Sequence, residues 1–172
     1  MKTILGISAF YHDSAATLLI DGKIIAAAQE ERFTRKKHDS SYPYNAVNFV
    51  LNYSKLKLNE IDSIVFFEKP FLKFERLLET YLAFSPKGFS SFAMSMPIWL
   101  KEKLFQKNFL FNSLKRHDEN FKDINKINFS EHHFSHAASA FYPSPFDEAV
   151  ILTLDGVGAV SYTHLRAHET RH

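Results

Sequence analysis

Residues 3–29 read TILGISAFYHDSAATLLIDGKIIAAAQ, and their pattern decides the class of fold. Thr3–Ser8 is a short apolar run and Ala15–Ile20 is a second. The pair Asp21-Gly22 is a strong two-residue hairpin signal leading into a third run, Lys23–Gln29. Three adjacent antiparallel strands, a β-meander, are expected here. Lys2 followed by Ile4, Leu5 and Ile7 has a superficial signal-peptide look. The apolar part stops at Tyr11-His12-Asp13, too short and too polar for that purpose, so it reads as a buried strand.

Working outward, residues 43–53 read as a helix with Ala46, Val47, Val50 and Leu51 on one face. Residues 60–67 read as a helix end, a turn and a buried strand over 64–67. Residues 70–121 are rich in Phe, Leu and Lys, with Pro86-Lys87-Gly88 and Pro97 as breakers. Two or three helices inserted between strands are expected there, lining a cleft or a partner surface. A short strand over 126–129 then leads to a helix over 131–141, with Ser130 placed to cap it. Pro143 and Pro145 end that helix, and residues 149–154 form a buried strand stopping at Asp155-Gly156-Val157-Gly158. Strands alternating with helices make this an α/β chain with a mixed sheet and a helical insertion.

Composition narrows the function classes. A chain of 172 residues with 45% hydrophobic residues can supply one core, and no apolar run approaches the ~20 residues of a membrane span. The absence of cysteine excludes a disulfide scaffold and thiolate metal sites. A formal net charge of +2 without a long basic block disfavours nucleic acid as a partner. A cytoplasmic location is expected.

Three stretches can carry chemistry. In Glu131-His132-His133-Phe134-Ser135-His136, His132 and His136 are four apart and project from one helix face, a spacing that suits two ligands of one metal. With Asp155 at the end of the next strand they would leave positions open on Fe(II), Mn(II) or Mg(II). The same spacing also fits surface or capping histidines. His133 points about 100° away and is the weaker ligand candidate. Residues 6–16 place a His12-Asp13 pair and Ser14 in the loop between two strands, where a ligand can reach backbone N–H groups; a polar hairpin tip has the same composition. Residues 29–39 offer Arg35 and Lys36 to phosphate or other anionic oxygens, or form a solvated charge run. Gly156 and Gly158 permit close approach of backbone to an anion, or make an ordinary turn.

Together, residues 6–16, 30–39 and 132–141, followed by Leu152-Thr153-Leu154-Asp155-Gly156-Val157-Gly158, closely resemble the N-terminal domain of the O-carbamoyltransferases. That family includes nodulation-factor, aminoglycoside and cephalosporin carbamoyltransferases. The resemblance implies the actin-like ATPase fold shared with acetate kinase, sugar kinases and Hsp70, in which two βββαβα lobes hold a nucleotide. Residues 1–158 would be the N-terminal part of the nucleotide-binding domain, most of its first lobe, with the insertion at about 70–121.

The resemblance further implies that the parent forms carbamoyl-adenylate from carbamoyl phosphate and ATP and moves the carbamoyl group to a hydroxyl of a small-molecule acceptor. By position, His132 and His136 match the family's helical metal pair and Asp155 its acidic ligand, for Fe2+, Mn2+ or Mg2+. His12 matches a loop histidine near the reacting carbamoyl group and takes an acid/base or orienting role. Ser14, Arg35, Lys36, Gly156 and Gly158 stand as contacts to nucleotide or phosphate. The expected partners are nucleotide, acceptor and the remainder of its own chain, with neither nucleic acid nor membrane. The alternatives are a protein like the tRNA threonylcarbamoyl transferases and a non-catalytic nucleotide- or metal-binding module. The weak net charge and the residue 6–13 and 30–36 motifs argue against the first.

The C-terminal residues depart from the family pattern. Residues 161–170, SYTHLRAHET, match the in-frame translation of a transposase-type sequencing adapter. Residues 159–172 are therefore expected to be a non-native tail, disordered because it lacks an apolar pattern. Its His164, His168 and His172 are not counted as ligands. On this reading the parent locus diverges from the run after Gly158, and the truncated chain is inactive by itself.

Overall fold

The computed structural model describes residues 1–68 and 106–154, scattered positions between 69 and 105, and the backbone of Val160–Arg166. The chain divides into two compact units, Met1–Phe129 and Ser130–His172.

In the first unit the expected meander is present with the expected bounds. Strands β1 (Thr3–Ser8), β2 (Ala15–Ile20) and β3 (Lys23–Gln29) pair antiparallel in sequence. Asp21 and Gly22 both take positive φ, 49° and 78°, as a hairpin turn twisted to match its strands demands. Thr3, Leu5 and Ile7 of β1 are buried while the residues between them are only half so, the period of a sheet with one core face. On the other face a Cβ at Gly6 would stand 2.9 Å from Thr17 Cγ2, so any side chain here would force Thr17 to move. Strand β4 (Ser63–Phe66) joins β1 in parallel and β5 (Ile127–Phe129) joins β4 in parallel, for the order β3-β2-β1-β4-β5. The mixed sheet of an α/β fold is therefore observed.

A short helix, α1 (Glu31–Thr34), follows β3. Helix α2 (Tyr44–Ser54) buries Ala46, Val47, Val50 and Leu51, the four residues that its periodicity picks out. Helix α3 (Gln106–Leu114) belongs to the expected insertion, whose earlier part lies largely outside the described residues. The later part contributes to the core. Leu110, Leu114 and Phe121 join Leu5, Leu18, Ile64, Phe66 and Ile127 in the core, because an apolar sheet face must be covered. Phe10, in the β1–β2 loop, packs edge-on against Phe109 of α3 at 5.0 Å and anchors that loop.

In the second unit α4 (His132–Phe141) packs on β6 (Glu148–Leu154). Glu131 occupies the cap position of α4 without a side-chain bond, so Ser130 does not cap it as expected. Strand β6 is also not buried throughout: Thr153 is, whereas Val150, Leu152 and Leu154 are exposed. Alternate side chains of a strand point to opposite faces, and one face is left open. Val160–Arg166, expected to be disordered, instead forms β7, antiparallel to β6 from Leu154↔Val160 to Glu148↔Arg166. A ladder is made by backbone N–H and C=O groups and does not require an apolar pattern. Among the described residues no helix is long and apolar enough to cross a membrane.

Candidate functional site

Each unit carries its own cluster of chemistry-bearing side chains. In the second unit the helical spacing of His132 and His136 brings their rings edge to face, with centroids 4.6 Å apart and Nε2 atoms 3.2 Å apart. At this distance an N–H of one ring can point at the lone pair of the other. His133 turns toward the sheet, where its Nδ1 lies 3.0 Å from Thr153 Oγ1 on β6. Buried Ala137 and Phe141 seat the helix on the same side. The 100° step per residue thus sorts three neighbouring histidines into a converging pair and a packed third.

The converging pair fits a metal. Two cis nitrogens at about 2.1 Å from one cation stand about 3.0 Å apart at an octahedral angle and about 3.4 Å at a tetrahedral one, and the observed separation of 3.2 Å lies between. Among the described residues no group of three or more potential ligands gathers. The third expected ligand, Asp155, lies outside the described residues, as do Gly156 and Gly158.

In the first unit His12 and His38 bond the same carboxylate. His12 Nδ1 is 2.8 Å from Asp13 Oδ2, and His38 Nδ1 is 3.0 Å from Asp13 Oδ1. These hydrogen bonds, that from His38 foremost, hold the Asp13 carboxyl below its ordinary range. Two further bonds close the β1–β2 loop onto the segment after α1: Phe10 N–H donates to Ser40 O and Ser14 N–H to Asp39 O, each 2.8 Å. Arg35 and Lys36 lie on that second segment with exposed side chains, Arg35 in left-handed backbone at φ 59°. Ser14 is placed differently from expectation. It is only 1% exposed with its hydroxyl buried, while its backbone N–H donates to Asp39 O and its C=O accepts from Glu30 N–H.

Four residues of these loops received no role from the sequence. Asp13 and His38 belong to the cluster itself. Asp39 Oδ1 accepts from Ser41 N–H (3.0 Å) and Ser41 Oγ (2.7 Å), and its Oδ2 accepts from Thr34 Oγ1 (2.9 Å). Glu30 is buried, and its carboxylate accepts from Asn45 N–H, Asn45 Nδ2 and Ala46 N–H at the start of α2. The available signal was a run with acidic residues at 30, 31 and 39 among basic ones, which a solvated face would show equally.

The model of a family described as carbamoyltransferase N-terminus matches residues 3–171. An uncharacterized protein of Synechocystis sp. is 57% identical over 166 residues, covering 96% of this chain and 27% of that protein. The nodulation protein NolNO of Sinorhizobium fredii is 36% identical over 149 residues, covering 87% of this chain and 20% of that protein. The chain thus spans between a fifth and about a quarter of the length of these relatives. Among solved structures, YeaZ from Pseudomonas aeruginosa aligns with 96% of this chain and 68% of its own at a TM-score of 0.40 and 12% identity.

Proposed function

The chain belongs to the carbamoyltransferase N-terminus family, and on that premise we propose that it is part of the first lobe of an actin-like, ATP-dependent O-carbamoyltransferase. The parent reaction would join the carbamoyl group of carbamoyl phosphate to the α-phosphate of ATP. Losing phosphate from one substrate and pyrophosphate from the other consumes one water. The carbamoyl group then passes to an acceptor hydroxyl and AMP departs.

One observation carries this reading: the Nε2 atoms of His132 and His136 converge at 3.2 Å on the first turns of α4. These two side chains, with Asp155, would hold a divalent cation. Such a cation supplies positive charge that neutralises and orients nucleotide phosphate oxygens. Arg35 and Lys36 would add charge-assisted hydrogen bonds to phosphate, and the backbone at Gly156 and Gly158 would approach it closely. In the first unit, His12 would serve as the acid or base beside the carbamoyl carbon.

The test is metal content measured on the purified full-length parent, alongside pyrophosphate release with carbamoyl phosphate and ATP. His132→Ala and His136→Ala should each lose bound metal and pyrophosphate release together. His133→Ala, which removes the contact to Thr153 and a ring contact with His132 but no proposed ligand, should keep its metal. Equal metal in His132→Ala and wild type would remove the assignment.

A further inference from the structure

We infer that His38 is a positioning residue for His12, acting through the Asp13 carboxylate that both rings share. The inference rests on the proposed role of His12 and deepens it. An ionised carboxylate only accepts hydrogen bonds, so each ring must carry its hydrogen on Nδ1. This selects one tautomer of His12 and leaves its Nε2 as the free lone pair, the atom that takes or returns a proton. His38, 25 residues away in sequence, fixes the second oxygen of the same carboxylate and so fixes the plane in which His12 is held.

Exposure decides between a structural and a functional purpose. The side chains of His12, Asp13 and His38 are 61%, 34% and 63% exposed. Ion pairs this open to solvent are screened and contribute little to stability, too little to explain the backbone these residues adopt. Asp13 (φ 49°) and His38 (φ 54°) are both left-handed, as are Phe10 (φ 71°) and Arg35 (φ 59°) in the same two loops. Among the described residues, four of the six non-glycine residues with positive φ therefore sit where these loops meet. Such strain persists where the surroundings over-determine it, commonly at functional sites. Here Asp39, pinned by Ser41 and Thr34, supplies the constraint next to His38.

Among the described residues, the other charged and titratable groups around the cluster are these. His38 N–H donates to Glu31 Oε2 at 3.3 Å, and Glu31 pairs with Arg32 at 3.2 Å. The Tyr11 ring lies 4.7 Å from that of His12, and Lys36 acts on neighbouring Asp39. Among the described hydrogen bonds, those of His12 and His38 reach the Asp13 carboxylate, so removing His38 should act on His12 through Asp13.

The experiment is the pH–rate profile of pyrophosphate release by the full-length parent and its His12→Ala, His38→Ala and His38→Asn variants. His38→Ala should lower the plateau roughly 10–100-fold, the range for residues that orient a working ligand from behind. With its charge no longer shared, Asp13 acts more strongly on His12, so the acidic limb should also move to higher pH. His38→Asn tolerates left-handed backbone and keeps an N–H close to the position of Nδ1, so it should recover most of the plateau. A His38→Ala profile identical to wild type, with His12→Ala inactive, overturns the inference and leaves the role of His12 standing. A lowered plateau without a limb shift or Asn rescue also overturns it, because His38 would then be merely structural. Full activity in His12→Ala removes both readings.

Discussion

Asp39 and His117 are the two side chains whose surroundings most clearly couple folding to pH. Two serine donors and a threonine hydroxyl lower the Asp39 carboxyl to about 2. Its contribution to stability is complete above the ordinary carboxylate range, near pH 4, and is lost as pH falls toward 2. Burial lowers His117 to about 4, with nearby Arg116 adding to the effect. Its Nδ1 donates to Asn48 Oδ1 at 2.8 Å and its ring stacks on Tyr44 at 4.3 Å. The fold holds this ring neutral while the unfolded chain protonates it, so its contribution is complete above about pH 6.5 and fades as pH falls toward 4. Denaturant unfolding of the chain measured against pH should show both windows. His117→Phe should flatten the upper window and Asp39→Asn the lower; an unchanged slope in either variant would contradict its assignment.

At the scale of elements, α2 shows how much a helix owes to a residue outside it. Its apolar face was legible from spacing alone, and the buried set is the expected one. Its N-terminus was not legible, because Pro43 in the cap position makes no side-chain bond. Glu30, 15 and 16 residues earlier, accepts the Asn45 and Ala46 N–H groups and places a carboxylate at the positive end of the helix. Glu30→Ala would leave those donors without their acceptor inside the fold and should cost roughly 2–4 kcal/mol. Glu30→Gln keeps one acceptor and should cost less. Urea unfolding of the three proteins gives the order, and a Glu30→Ala midpoint equal to wild type would contradict the capping role. Strand β7 makes the opposite point: its pairing with β6 comes from the backbone, so its side-chain pattern gave no sign of it.

For the whole molecule, the chain covers 27% and 20% of two curated relatives. On the proposed reading, a nucleotide gripped between two lobes would lose half its contacts to a chain that supplies one of them. The 172-residue chain by itself should therefore release no pyrophosphate from ATP and carbamoyl phosphate above a no-enzyme control. Turnover matching the full-length parent would show that the reaction needs only this lobe.

Local periodicity determined the meander strands, the buried face of α2 and the pairing of His132 with His136, because a regular element alone decides which residues share its face. Spacing likewise separated His133 from that pair, although only the fold supplied Thr153 as its partner. Contacts between loops were decided by tertiary structure. Asp13 meets His38 across 25 residues, and Glu30 reaches under α2, because hydrogen bonds close the β1–β2 loop onto the segment after α1. Composition cannot show that closure. The charged run from Gln29 to Asp39 has one appearance as sequence, yet Glu30 and Asp39 are buried while Arg35 and Lys36 are exposed. Burial of a charged residue depends on whether donors from elsewhere in the chain arrive to satisfy it, and their arrival is a property of the folded backbone.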